Sequence, residues 1–321
     1  MRIILAPMEG LVDSPIRESL TQVGGIDRCV TEFIRVTHGM LPPRIFYKYA
    51  PELHNRCLTR TGVPVAVQLL GSDTDQMALH GARAAELGAP QIDINFGCPA
   101  KTVNKHKGGA VLLREPELLH RITSAIRQAV PSTIPVTAKM RLGYEDRSMG
   151  IACGQALEAA GAAEIVIHAR SKVDGYKPPA YWEDVARVRE AVATQVIANG
   201  DIWTVDDYWR CRTVSGCDDV MIGRGLISRP DLAVQIKASQ SGQVLPPMSW
   251  PEAVGLVKNY GRALQGHLED KFVIGRIKQW LNYLRRGFVE AEAVWPQARK
   301  LRELAALFAC LESAVLKPRA A

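Results

Sequence analysis

The chain has 321 residues, 47% hydrophobic and 23% charged, the balance of a globular protein, and its net charge of +7 admits a polyanionic partner. Its seven cysteines (29, 57, 98, 153, 211, 217 and 310) contain no C-x-x-C pair, which argues against a disulfide framework or a zinc site and favours a reducing cytoplasm. No run of about 18 apolar residues predicts a membrane span, and Pro7 and Glu9 interrupt "MRIILA" too early for a signal peptide.

Short apolar runs follow one another along the chain: "RIILAPM" (2–8), "RCVTEFI" (28–34), "VPVAVQLLG" (63–71) and "QIDINFG" (91–97). They continue with "IPVTAKMRLG" (134–143), "EIVIHAR" (164–170), "TQVIANGD" (194–201) and "DDVMIGRG" (218–225). Amphipathic stretches such as "TDQMALHGARAAELG" and "PELLHRITSAIRQAV" lie between most of them. Strand and helix in alternation mean parallel βαβ units, and eight such strands predict an α/β fold of the (β/α)8 TIM-barrel type. A doubly wound sheet is the alternative, but no strand opens into a G-x-G-x-x-G helix start. "SQSGQVLPPMSWP" (239–251) reads as a linker, and only helical patterns follow. The expected organisation is a barrel over 1–242 and a small all-helical unit of two or three long helices over 243–321.

In such barrels the active site forms at the C-terminal ends of the strands. There the chain places Pro7, Met8 and Glu9, then Gln68, Asn95 and Cys98, Lys139 and Arg141, and His168. Asn199, Gly200 and Asp201 follow the seventh strand, and Gly223 and Arg224 the eighth. The glycines of "ANGDI" and "MIGRGLI", with the Arg224 cation, suit a bound phosphate; a tight turn is the plainer reading of "NGD". Gln68 and Lys139 suit the polar edge of a flavin ring, an amide for its imide and a cation for its reduced form. A salt bridge inside the barrel is the alternative for Lys139. "DINFGCPAKTVNKHKGG" (93–109) sets a lone thiol beside glycines and lysines, which is either a reactive turn or a strand followed by a solvated loop.

These segments, in this order, resemble the motif series of the tRNA-dihydrouridine synthases. The match comprises "APMEGLVDSPIR", "VQLLGSD", "IDINFGCPAKTVNKHKGGAVLL", "VTAKMRLGYED", "VIHARSK", "VIANGDI" and "VMIGRGLI", and spans residue 2 to about residue 230. "KFVIGRIKQWLNYLRRG" resembles the bacterial C subfamily, which acts on position 16 of the tRNA D-loop. Where many relatives carry a shorter K-G-A-G loop, this chain reads "KHKGGA" (105–110).

The resemblance implies an oxidoreductase that reduces the carbon 5–carbon 6 double bond of a flipped uridine with FMN, itself reduced by NADPH. It implies flavin contacts at Pro7, Met8, Glu9, Gln68, Lys139, His168, Asn199, Gly200, Asp201, Gly223 and Arg224. Cys98 is then a general acid for carbon 5, since an ordinary thiol of pKa about 8.5 is mostly protonated at neutral pH. Arg35, Asn95, Lys105, Lys107, Arg141, Tyr176, Lys271, Phe272, Arg276, Gln279 and Trp295 are the expected base and tRNA contacts. Residues 271–302 hold eight Lys or Arg and two Glu with aromatics interleaved, as an RNA-holding surface requires. Trp280 and Tyr283 read as core. The barrel alone is expected to hold the flavin, with no metal, and the protein to be monomeric. The rival readings are a flavin barrel acting on a free pyrimidine and an RNA-binding protein without catalysis.

Overall fold

Period-two alternation within each run turns one strand face toward a barrel axis and the other toward a coat of helices. The computed structural model describes residues 1–314 and contains a single parallel sheet. Its strands are β1 (Ile3–Leu5), β2 (Arg28–Val30), β3 (Ile34–Arg35), β4 (Val65–Leu70), β5 (Ile92–Phe96), β6 (Val136–Gly143), β7 (Glu164–Ser171), β8 (Gln195–Asn199) and β9 (Val220–Ile222). β1 pairs with β2 and β9, and β2 pairs with β4, so the sheet closes into an eight-stranded TIM-type barrel. The second expected strand is the exception. It is broken at Thr31–Phe33 into β2 and β3, both paired to β4.

The outer coat is α1 (Ser14–Val23), α2 (Pro43–Tyr49), α3 (Thr74–Glu86), α4 (Lys101–Lys105), α5 (Pro116–Ala129), α6 (Gly150–Ala159), α7 (Trp182–Glu190), α8 (Val205–Ser215), α9 (Arg224–Ser228) and α10 (Leu232–Gln240). Outward strand residues such as Ile3, Leu5, Val67, Ile94, Met140, Ile167 and Ala198 pack beneath these helices in one large core. Ile4, Ala6, Val30, Ala66, Val166, Ile197 and Met221 form a separate apolar cluster inside the barrel. Beside that plug and beyond it the inward positions include polar residues: Gln68, Asp93, Asn95, Thr137, His168 and Asn199 are all buried.

After the proline-rich stretch come α11 (Trp250–Gln265), α12 (Asp270–Leu284), α13 (Val289–Ala298) and α14 (Leu304–Ser313). Glu252 caps the start of α11 by accepting the Ser249 N–H at 2.7 Å. The last expected helix, 295–315, is divided between α13 and α14, and its final residue lies outside the described residues. These helices share the main apolar core with the barrel. Trp280 is buried, as expected, and its indole N–H donates to Ile227 O at 3.0 Å.

Arg276 on α12 makes the densest polar contact with the barrel. It donates to Asp13 Oδ2 at 2.6 Å, Leu11 O at 3.1 Å, Tyr260 Oη at 3.1 Å, Gln279 Oε1 at 2.9 Å and also Gly10 O. Asp13 in turn caps α1, accepting the Ile16 N–H at 3.0 Å. Removing the guanidinium takes the charged partner from Asp13, which keeps only the Ile16 N–H and a long bond from the Tyr260 hydroxyl, and takes a donor from the carbonyls of Gly10 and Leu11, at a partly buried contact. Arg276→Met should therefore lower the unfolding free energy by about 2–3 kcal/mol. Urea titration checks this, and an unchanged midpoint would show that the contact is idle.

Candidate active site

A cavity of about 500 Å³ opens at the C-terminal ends of the strands. Pro7, Met8, Glu9, Gln68, Cys98, Lys139, His168, Asn199, Gly200, Asp201, Gly223 and Arg224 line it, together with Asn95, Arg141, Tyr176 and Gln279. Strand register explains the assembly. Asn95 neighbours Lys139, Arg141 neighbours His168, and His168 neighbours Asn199. A register irregularity between Arg141 and Gly143 lets β7 run one residue ahead, the kind of bulge that re-aims side chains beside active sites.

The Cys98 turn is shaped from below. Asn95 Oδ1 accepts the N–H groups of Gly97 at 3.0 Å and Cys98 at 2.8 Å. Asn95 Nδ2 donates to Gln68 Oε1 at 2.8 Å, and Gln68 Nε2 donates to Asp93 Oδ2 at 2.7 Å. From the other side, Cys98 O accepts Asn104 Nδ2 at 2.9 Å and Ala110 N–H at 3.0 Å. Gly109 sits at φ +66°, and a Cβ there would lie 2.7 Å from Cys98 O. The "KHKGGA" segment thus folds back onto the thiol turn and leaves Lys105 and Lys107 exposed.

Burial pushes the Cys98 thiol up, aided by Glu9 and opposed by Arg141 and Lys139. It is the one partly exposed cysteine of the seven, and it is protonated at neutral pH. Burial and the Arg141 cation lower Lys139 to about 8, which leaves it mostly charged at pH 7. Its ammonium donates to Asn199 Oδ1 at 3.1 Å, and no carboxylate among the described residues pairs with it. His168 is driven well below its ordinary value by burial and by Arg141, Lys139, Arg170 and Arg224, so it is neutral. Arg141 ties the Gly97 turn to the loop after β7 through Gly97 O, Ser171 O and Gly175 O, each at 2.9 Å.

At the far end Arg224 lies 3.7 Å from Asp201 and over the rings of Tyr176 and Trp203, 5.1 and 5.0 Å from their centroids. Asp201 is held by the buried Arg170. A Cβ on Gly223 would meet Met8 Sδ at 3.2 Å, and one on Gly200 would meet His168 Cδ2 at 3.1 Å, so both turns approach the cavity as bare backbone.

Arg35, Lys105, Lys107, Lys271, Phe272, Arg276 and Trp295 lie outside the cavity wall. Arg35, Lys271 and Phe272 are exposed, with Lys271 on Glu269 at 2.7 Å, while Trp295 is half-buried under Arg285. Arg276 departs from the expected free cation: all five of its N–H donors are engaged within the protein. Sequence reasoning missed Phe33, Trp203 and Tyr283 on the wall, and Asp93 beneath it. Tyr283 packs against the core, as expected, and is also part of that wall. Trp203 closely follows "NGDI", and Asp93 shares a strand face with Asn95, so both carried a positional signal.

The family model for dihydrouridine synthase (Dus) matches residues 4–315. The chain belongs to the dihydrouridine synthase family. It is therefore an oxidoreductase that depends on a flavin and a nicotinamide reductant. Similar relatives include the tRNA-dihydrouridine(16) synthase of Pseudomonas putida, 56% identical over 94% of this chain and 93% of that one. Those of Shewanella oneidensis and Ralstonia nicotianae are 49% and 48% identical; the first alignment covers 98% of both chains, the second 98% of this chain and 97% of the relative. A morphinone reductase mutant solved with tetrahydroNAD shares the fold at TM-score 0.51 and 13% identity, over 74% of this chain and 86% of that one.

For this family member the raised thiol makes a chemical prediction. Only the thiolate alkylates, so at pH 7 iodoacetamide should label Cys98 more slowly than it labels a free cysteine, with the rate still climbing at pH values where that of the free amino acid has levelled off. A rate above that of the free amino acid at pH 7 would mean a thiolate and would remove the acid from the site.

Proposed function

We propose that this protein reduces the carbon 5–carbon 6 double bond of a D-loop uridine in tRNA, at position 16 as its relatives' names state for them. FMN is the resident flavin and NADPH its reductant. The observation that carries this reading is the pairing, in one cavity, of a protonated thiol with a cationic, glycine-edged cradle. The cradle fits FMN by its donor set. Lys139 keeps N–H donors beyond the one given to Asn199, and Arg224 faces the cavity beside the bare backbone of Gly223. When bound and reduced, FMN supplies the hydride equivalent for carbon 6.

The chain's own residues do the rest. Lys139 and Arg141 set positive charge where an electron-rich ring is to be stabilised. His168, held neutral, offers a hydrogen-bonding ring without further repulsion among the cations. Cys98 gives its proton to carbon 5 on the opposite face, and the thiolate regains one from solvent. The uridine must leave its stack to reach this depth, which RNA loops allow cheaply. The barrel supplies most of the cavity and the helices beyond residue 242 hold the tRNA, with Gln279 and Tyr283 of α12 completing the cavity wall. The exposed cations Arg35, Lys105, Lys107 and Lys271, with Phe272, Tyr176 and Trp295, supply the phosphate and stacking contacts around the mouth.

Cys98→Ala should abolish most dihydrouridine formation while NADPH still bleaches the bound flavin, followed by stopped-flow absorbance; near wild-type product in mapped tRNA would refute the acid role. Arg224→Ala should lose flavin on dialysis, because a charge-assisted hydrogen bond is worth about 1.5–3 kcal/mol. Replacing Lys105 and Lys107 together by Glu should weaken tRNA binding and flatten its log–log salt dependence by about 0.7–0.9 for each lost phosphate contact. NADPH oxidation with an artificial acceptor should be unchanged in that variant. A wild-type salt slope would move the tRNA elsewhere.

A further inference from the structure

Asp93 lies inside the barrel on β5, 1% exposed, and does not line the cavity. It has no part in the chemistry above. Its two oxygens accept from Gln68 Nε2 at 2.7 Å and Thr137 Oγ1 at 2.6 Å. Burial raises it to about 6, so it is a carboxylate at neutral pH. A carboxylate accepts and never donates.

That one-sidedness propagates. A primary amide turned by half a revolution exchanges donor for acceptor at little change in shape. Facing Asp93, Gln68 has to present its amino group downward and Oε1 to Asn95. Asn95 then has to present Nδ2 to Gln68 and Oδ1 to the two N–H groups of the thiol turn. Reversal of either amide would end with an amino group against the N–H groups of Gly97 and Cys98, and the turn would open.

We propose that Asp93 is a positioning residue that sets the donor–acceptor direction of Gln68 and Asn95 and, through Asn95, the shape of the Cys98 turn. Gln68 is left with one unused N–H and one unused lone pair in a fixed order. These complement the carbonyl and N–H of an imide edge, a feature of flavin and uracil alike. This consequence rests on the function proposed above; the hydrogen bonds themselves do not.

The test uses the full-length chain, as purified and after flavin removal, and reads Cys98 alkylation by peptide mass. The other six cysteines are buried, which isolates the signal. Asp93→Asn can donate toward Gln68, so Cys98 should be alkylated several-fold faster and the visible flavin band should shift. Adding Gln68→Glu returns an acceptor to the centre of the relay: Asn at 93 and Asn95 both donate to it, and Asn95 Oδ1 again faces the turn. The double variant should therefore recover the wild-type alkylation rate while its flavin band stays shifted. The proposal is overturned if Asp93→Asn, folded by circular dichroism, alkylates at the wild-type rate, or if the double variant stays as fast as the single. Should Asp93→Asn not fold, the double variant decides alone: a wild-type rate supports the relay, and misfolding or a fast rate overturns it. A wild-type protein without flavin would sink the flavin reading and leave the alkylation comparison still decisive for Asp93.

Discussion

A polar side chain inside a closed barrel has no route to water, so it must be satisfied by other side chains sealed in with it. In this protein that constraint produces a continuous relay through the barrel. Arg2 donates to Glu164 Oε1 at 2.6 Å, Arg28 bridges Glu164 and Gln91, and Gln91 donates to Thr137 at 2.8 Å. Thr137 then donates to Asp93, which takes Gln68; Gln68 takes Asn95, and Asn95 takes the Cys98 N–H. The relay begins at a half-exposed arginine and ends at the reactive turn. A cluster of seven apolar side chains packs inside the barrel beside it. A buried network of this kind is costly when incomplete and rigid when complete. Here it is nearly complete: Arg28 Nε is its one buried atom without a partner among the described residues.

Rigidity below matters because the mouth above is electrostatically crowded. Lys139, Arg141, Arg170 and Arg224 surround one neutral histidine, and Asp201 offsets two of them. Such a cluster repels itself unless an anion or an electron-rich ring enters. Charge and burial are opposed at Lys139, which is why its pKa falls while it still stays mostly protonated at neutral pH. The same burial raises Cys98. One desolvated site thus holds an acid and a cation together, each in the form the chemistry needs.

The strands were legible because both barrel faces are buried and each run is short, apolar and bounded by turn residues. The cavity residues were legible because an inward polar residue at a strand end is costly unless a partner or a ligand meets it there. The break at Thr31–Phe33 was not, since the run "RCVTEFI" is uninterrupted in composition and its bend comes from both pieces pairing with β4. Arg276 and Lys271 look alike in sequence, five residues apart on a basic helix. Only tertiary packing separates them: one faces Asp13 and the carbonyls of Gly10 and Leu11, the other faces solvent. Charge composition identifies a basic surface, but it does not say which of its cations are already neutralised.

That distinction alters how barrel and helices relate. Sequence pattern alone suggests a barrel that holds flavin unaided, with helices reserved for RNA. Instead Gln279 and Tyr283 of α12 form part of the cavity wall. Gln279 Nε2 also donates to Gly10 O at 2.9 Å, the same carbonyl that Arg276 engages. Gly10 adjoins Met8 and Glu9, and its N–H is held by Glu32 at 2.5 Å, so this loop is gripped from the helix on one side and the barrel on the other. The surface proposed to grip tRNA and the loop proposed to floor the flavin site therefore share one helix. Arg276 and Gln279 of α12 thus fix the backbone just after Met8 and Glu9 through the carbonyls of Gly10 and Leu11, so the helix that lines the cavity also sets the position of this loop.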